Sequence, residues 1–193
     1  MARTLATNEL PPVSATQEII EKSKDSIEKS PHPAYLHHLA TQIQHNLQYQ
    51  HSWSALTVHT HSPLTSVALP RPMISGLPPK RAYIHPDEQV AVIKEEHDTG
   101  KKIEQIPERE WVLPTHIKET FTLSSFAKVF NAIGVVPPGE SSQDEYDEDD
   151  EKPVGHQWQG ENRQKRLLLA TLDEDSTVTY YIMHDGIVKP RQN

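Results

Sequence analysis

Residues 163–193 read Arg-Gln-Lys-Arg-Leu-Leu-Leu-Ala-Thr-Leu, Asp-Glu-Asp-Ser, Thr-Val-Thr-Tyr-Tyr-Ile-Met, His-Asp-Gly, Ile-Val-Lys-Pro-Arg-Gln-Asn. An apolar run, Leu167–Leu172, is followed by a polar break and then by Thr177–Met183, which is rich in β-branched and aromatic residues. Two such runs joined by a short polar turn form an antiparallel β-hairpin. Asp185-Gly186 tolerates the positive φ of a tight turn, so a third short strand, Ile187–Lys189, is expected after it. Leu167, Leu168 and Leu169 are consecutive, which calls for cover on both faces and places the strand inside a sheet. Upstream residues must supply that cover and the remaining strands. The expected class is α/β (α+β), a mixed β-sheet with helices packed on it.

Composition limits the size of the folded part. Of 193 residues 35% are hydrophobic, and 16 prolines stand against 7 glycines. About 60 residues are therefore expected to lie outside the fold. Residues 1–32 are read as a disordered arm, with at most weak helix over Thr16–Lys29, and 33–193 as one domain. An acidic low-complexity insert, also expected to be disordered, interrupts that domain at about 138–160. Within it seven of the eight residues Asp144–Glu151 are acidic. They account for most of the net charge of −8, and the rest of the chain carries about −1. Charge alone thus does not point to nucleic acid. The chain has no cysteine, which excludes disulfides and thiolate metal sites and is compatible with an intracellular compartment. No apolar run is long enough to span a membrane, and no signal-peptide core is legible.

Ahead of the hairpin, Ser30-Pro31 reads as a helix start. Leu36, Leu39, Ile43 and Leu47 then recur at three- and four-residue steps, giving a helix with one buried stripe that ends near Tyr49. Adjacent His37 and His38 cannot share one helix face, which argues against a metal site there. Trp53–Thr60 alternates as a strand, and Pro63–Pro79 reads as an extended connection. Ala82–Ile84 and Gln89–Lys94 read as short strands around His85-Pro86-Asp87, with a helical turn opened by Pro86-Asp87-Glu88 as the alternative. Glu110–Leu113 is apolar again. Thr122 caps a helix that Phe121 staples to Phe126, with Val129, Phe130 and Ile133 on its apolar face and Gly134 at its end. Trp158 is the one residue of the insert able to dock.

His59 and His61 form a His-x-His pair whose side chains share a strand face, as an acid/base pair would. No acidic residue lies within twenty positions to orient them, and a polar strand end is the simpler reading. A histidine-dependent RNase using His59, His61 and Lys165 is one alternative function. An acidic adaptor acting through Asp144–Glu151 is another.

The Lys165–Ala170 segment, the acidic turn Asp173-Glu174-Asp175 and Val178–Tyr181 are similar to the closing hairpin of tRNA-intron endonuclease domains. Further stretches extend the likeness: Trp53–Thr60, Arg71-Pro72, Gly76–Pro79, Tyr83 with His85–Glu88, Trp111–Pro114, the Phe121–Ile133 helix and Gly186–Asn193. Jointly, over roughly 33–134 and 163–193, they resemble the smallest, non-catalytic subunit of the eukaryotic tRNA-splicing endonuclease in its fungal form. The resemblance implies a nuclease-like fold. The family's active subunits cut RNA without metal, using a tyrosine, a histidine and a lysine. The 2′-hydroxyl must lose a proton, the leaving oxygen must gain one, and a cation must steady the phosphorane. Lys165 stands where the lysine belongs. The tyrosine and histidine are not found, since Tyr83 and His85 are too close together and a proline follows the histidine. No catalytic residue, metal or cofactor is expected.

The resemblance implies assembly instead. Family members pair through their last strands, so Tyr180, Tyr181, Ile182, Met183, Ile187, Val188 and Lys189 are the expected interface. Pairs join into a tetramer by inserting an acidic loop into a neighbour's basic cleft, a role for Asp173, Glu174 and Asp175. The implied partners are the endonuclease's other subunits, in a heterodimer with the smaller catalytic subunit inside a heterotetramer, and precursor tRNA reached mainly through the complex. Arg163, Lys165 and Arg166 are candidate direct RNA contacts. The implied compartment is the nucleus, with the cytoplasmic face of mitochondria as a fungal alternative.

Overall fold

In the computed structural model, residues 30–139 and 154–188 are described. The expected arm up to residue 29, the acidic run and Lys189–Asn193 lie outside them. Among the described residues five strands form one mixed sheet in the order β1-β2-β3-β4-β5: β1 Ser54–His61, β2 Ala68–Leu77, β3 Glu110–His116, β4 Arg166–Leu172 and β5 Val178–His184. Only β3 and β4 run parallel. Three α-helices accompany them among the described residues: α1 Ala34–Tyr49, α2 Pro86–Thr99 and α3 Leu123–Ala132.

The sheet is covered on both faces. Leu39, Ala40, Ile43 and Leu47 of α1 pack on Ile74, Val112, Leu168, Ala170 and Leu172. Val129 and Phe130 of α3, with Ile133, pack on Leu69, Met73, Trp111, Leu113 and Leu167. Consecutive leucines of β4 thus enter opposite cores, as their alternation requires. Each fully buried aliphatic side chain contributes about 1.5–3 kcal/mol. Thr122 accepts the Ser125 N–H at 3.2 Å, and the Phe121 and Phe126 rings stand 5.1 Å apart, so the cap and staple form as expected. The helix itself stops at Ala132, with Ile133 at the cap position ahead of Gly134.

Several expectations are corrected. α1 begins at Ala34, after Pro33, because each proline disfavours helical geometry in the residue before it. The Ser30 hydroxyl meets His37 Nε2 at 2.7 Å and does not cap the helix. Residues 68–77, read as part of an irregular connection, form strand β2 despite Pro70 and Pro72. A two-residue step from His59 to His61 faces a five-residue step from Met73 to Ala68, and β3 pairs with β2 only over Ile74–Gly76. Both prolines therefore fall where the ladder is interrupted. Gly76 fits there because a Cβ would lie 3.1 Å from the Trp53 ring and closer still to Leu56. Residues 89–94 are helical, as the alternative reading had it. His85 caps α2, Pro86 occupies its first turn with Asp87 and Glu88, and Gly100 (φ 66°) closes it. These end signals outweigh the β-branched Val90–Ile93 run. Ile187 and Val188 belong to no strand, although Gly186 does adopt the positive φ (101°) expected of it.

Candidate docking edge and candidate nuclease-site residues

β5 pairs with β4 from Val178 to His184, and its other edge has no strand beside it among the described residues. Alternation decides what each side chain does. Val178 and Tyr180 face the α1 core, and the Tyr180 hydroxyl donates to Asn46 Oδ1 at 2.6 Å. Burial pushes its phenol pKa up, so Tyr180 stays a neutral donor. Tyr181 is 57% and Ile182 39% exposed, Ile187 is almost fully exposed, and Met183 is half-buried against the α3 core. The strand thus offers unpaired backbone groups with two large side chains beside them.

At the other end of the hairpin the acidic turn is tied to itself. Asp173 accepts the Glu174 N–H at 2.6 Å, and Asp175 accepts the Thr177 N–H at 2.9 Å, which lowers the Asp175 pKa. Ser176 takes the positive φ (69°) that closes the turn. Glu174 pairs with Lys118, while Glu174 and Asp175 remain exposed. All three carboxylates are therefore presented from a fixed turn.

Lys165 precedes β4 on the α3 side, and its ammonium donates to the Phe130 carbonyl at 3.1 Å, in the last turn of α3. Tyr83, the tyrosine weighed from the sequence, is paired with a histidine elsewhere, as Tyr49 is with His45 and Tyr180 with His51. Tyr83 meets His184 edge to face, with centroids 4.7 Å apart, and the Arg166 guanidinium lies 5.3 Å from the Tyr83 ring. Arg166 alternates with Lys165 and points to the opposite face of the sheet. His85 is stacked with Trp158 at 5.7 Å, so the expected docking residue of the insert does dock. Among the described residues, the Lys165 ammonium is not gathered with the Tyr83 phenol and the His184 imidazole.

His59 and His61 do not act as a pair either. His59 Nε2 meets Ser75 Oγ at 2.8 Å, and its ring stands edge-on to Trp111. Burial, with Arg109 adding to it, lowers its pKa. His61, beyond the bulge, is exposed and bonded to the Thr60 hydroxyl at 2.9 Å.

Arg163 and Arg166, expected as candidate RNA contacts, instead point inward at 4% and 3% exposure. They belong to a buried ionic cluster that the sequence reading missed. Arg166 reaches Glu110 at 2.5 Å and Glu108 at 2.9 Å. Arg163 reaches Glu108 at 3.3 Å and donates to the Arg109 carbonyl at 2.8 Å. Arg81 holds Glu88 at 2.5 Å, and Glu88 also accepts from Gln159 at 2.7 Å. Burial opposes ionisation of Glu108. Arg163, the Gly160 N–H, Arg81 and Arg166 outweigh it, and the pKa falls. For Arg166 the paired carboxylates overcome burial and raise the pKa, whereas for Arg163 burial prevails and lowers it. Guanidiniums so committed cannot also hold phosphates. The legible signal was Glu108-Arg109-Glu110 at the start of one apolar strand and Arg163-x-x-Arg166 at the start of another.

This geometry, a covered mixed sheet with an open closing strand, accompanies a match of residues 42–193 to the family described as Sen15 protein. The chain belongs to the Sen15 family. It is also 47% identical over 159 residues to the probable tRNA-splicing endonuclease subunit tsp-1 of Neurospora crassa, covering 82% of this chain and 67% of that one. The Sen15 match begins inside α1 and takes in all five strands, the ionic cluster, the acidic turn and β5.

Proposed function

We propose that this chain is a non-catalytic, structural subunit of the tRNA-splicing endonuclease, with a nuclease-like fold put to assembly. The Sen15 match over 42–193 carries the reading, and the relative's description as a tRNA-splicing endonuclease subunit agrees with it. The exposed edge of β5, with Tyr181 and Ile182, suits strand pairing with the smaller catalytic subunit. The turn bearing Asp173, Glu174 and Asp175 suits charge-assisted bonds to a basic cleft on a second pair of subunits. Non-catalytic status rests on Lys165 being bonded to a helix carbonyl, away from Tyr83 and His184. Precursor tRNA is then bound by the complex, and the working compartment is the nucleus.

Reversing the three charges of the turn (Asp173→Lys, Glu174→Lys, Asp175→Lys) in the co-expressed complex tests this reading. The heterodimer is expected to persist while the tetramer dissociates on gel filtration. A tetramer of unchanged mass contradicts the role given to the turn.

A further inference from the structure

A groove runs between α1 and the ends of β3 and β4. It consists of two adjoining hollows, of about 380 and 210 Å³, that share Gln42 and Leu172. Its floor is apolar and buried, made by Leu39 and Leu172. The floor is also fixed. The Leu172 carbonyl accepts the Ile117 N–H at 2.9 Å, and Asn46 accepts from the Tyr180 hydroxyl and donates to Gln50 at 2.9 Å. The larger hollow lies within the about 300–1,000 Å³ of pockets that take ligands, and nothing in its floor has to move to admit a side chain.

The α1 side of the groove has the make-up of an interface centre. α1 contains no Asp, Glu, Lys or Arg, although a helix face left to water normally carries charge. Tyr35 (63% exposed), His38, Gln42, His45 and Tyr49 (65%) follow one another there at steps of three and four. Loss of charge with tyrosine in its place distinguishes the centre of a protein interface from ordinary surface.

The opposite side says what kind of occupant fits. The acidic turn borders the groove: Ser176 and Val178 line the smaller hollow, and Lys118, the ion-pair partner of Glu174, lines the larger. Lys118 is the one Lys or Arg among the lining residues, and Glu174 engages it. Glu119, also in the lining, is engaged by Arg71 through two bonds of 2.6 and 3.1 Å. The remaining charge at the rim is that of the turn, and it is negative. A phosphodiester meets carboxylates there and no free cation. A basic protein segment meets carboxylates beside an apolar hollow.

We propose, on the reading that the turn enters a basic cleft of a second pair of subunits, that this groove is the other half of the same contact. A large apolar side chain of that neighbour seats over Leu39 and Leu172, while the arginines or lysines flanking it bind Glu174 and Asp175. The buried anchor supplies most of the affinity and the charges set approach and register.

Gln42 is exposed and shared by both hollows, so it is the position to probe in the co-expressed complex. Benzoylphenylalanine in place of Gln42 is expected to photo-cross-link to a subunit of the second pair, and the cross-link to vanish when Asp173, Glu174 and Asp175 are changed to lysine. Gln42→Trp plugs the groove, and Gln42→Lys sets a cation against a basic occupant. Each should raise the dissociation constant of the tetramer about tenfold or more with the heterodimer intact. Gln48→Lys, exposed on α1 but lining neither hollow, should leave it unchanged. A cross-link to precursor tRNA, to the heterodimer partner or to a second copy of this chain, no cross-link at all, or an unchanged dissociation constant for Gln42→Trp would overturn the proposal. If the charge-reversed turn dissociates the tetramer and the Gln42 variants do not, the groove alone loses its role. If neither dissociates it, the role given to the turn fails as well.

Discussion

Glu110 is fully buried and accepts from both Arg163 and Arg166. Removing it leaves two buried guanidiniums to share the single carboxylate of Glu108. Glu110→Ala should therefore cost about 3–5 kcal/mol, the range for a buried pair deprived of one partner, read as a fall in the urea midpoint of unfolding. The histidines set a pH dependence. Burial lowers the pKa of His59, aided by Arg109, and that of His184, aided by Arg166 and His85. A histidine whose folded pKa is depressed binds its proton more readily when unfolded. Its stabilising contribution is complete above the unfolded value near 6.5 and is lost as pH falls below it. The lowered Glu108 pKa extends the loss to more acidic pH, below the usual carboxylate range. The urea midpoint should thus drop between pH 7.5 and 5.5, less so in a His59→Gln, His184→Gln variant; a midpoint that rises on acidification would contradict this. Little of this was legible in the sequence, because a charged residue beside an apolar strand reads the same whether its partner is water or a glutamate fifty residues away.

Among the elements, those with strong local signals were legible. The stripe of α1, the cap and staple of α3 and the β4–β5 hairpin each follow from residues within a few positions of one another. Thr122→Ala should remove a bond to the first turn of α3 and lower stability by about 1 kcal/mol, seen as a small downward shift of the unfolding midpoint with α3 retained by circular dichroism. β2 was hidden because two prolines argue against a strand, and only the interrupted pairing with β1 accommodates them. α2 was obscured by Val90–Ile93, whose β-branched side chains suit a strand, although His85, Pro86 and Gly100 bracket a helix. Pairing across the sheet decides the first case and end geometry the second.

For the molecule as a whole, the fold bonds Lys165 to the last turn of α3 and leaves the outer edge of β5 without a strand beside it among the described residues. The fold class and the hairpin could be read from sequence patterns, but the inward turn of Arg163 and Arg166 could not, because it depends on the approach of Arg81, Glu108 and Glu110 from other elements. We propose that the chain supports cleavage without performing it, and Lys165 is the residue that tests this most directly. Its ammonium serves the Phe130 carbonyl. The direct measurement is the rate of precursor-tRNA cleavage, at each splice site, by the complete endonuclease carrying Lys165→Ala in this subunit alone. The account predicts an assembled complex whose rates at both sites stay within about twofold of the unmodified enzyme. A loss of about 10²–10⁴-fold at either site, the scale of a missing acid–base or charge-stabilising group, from a complex of unchanged mass would contradict it.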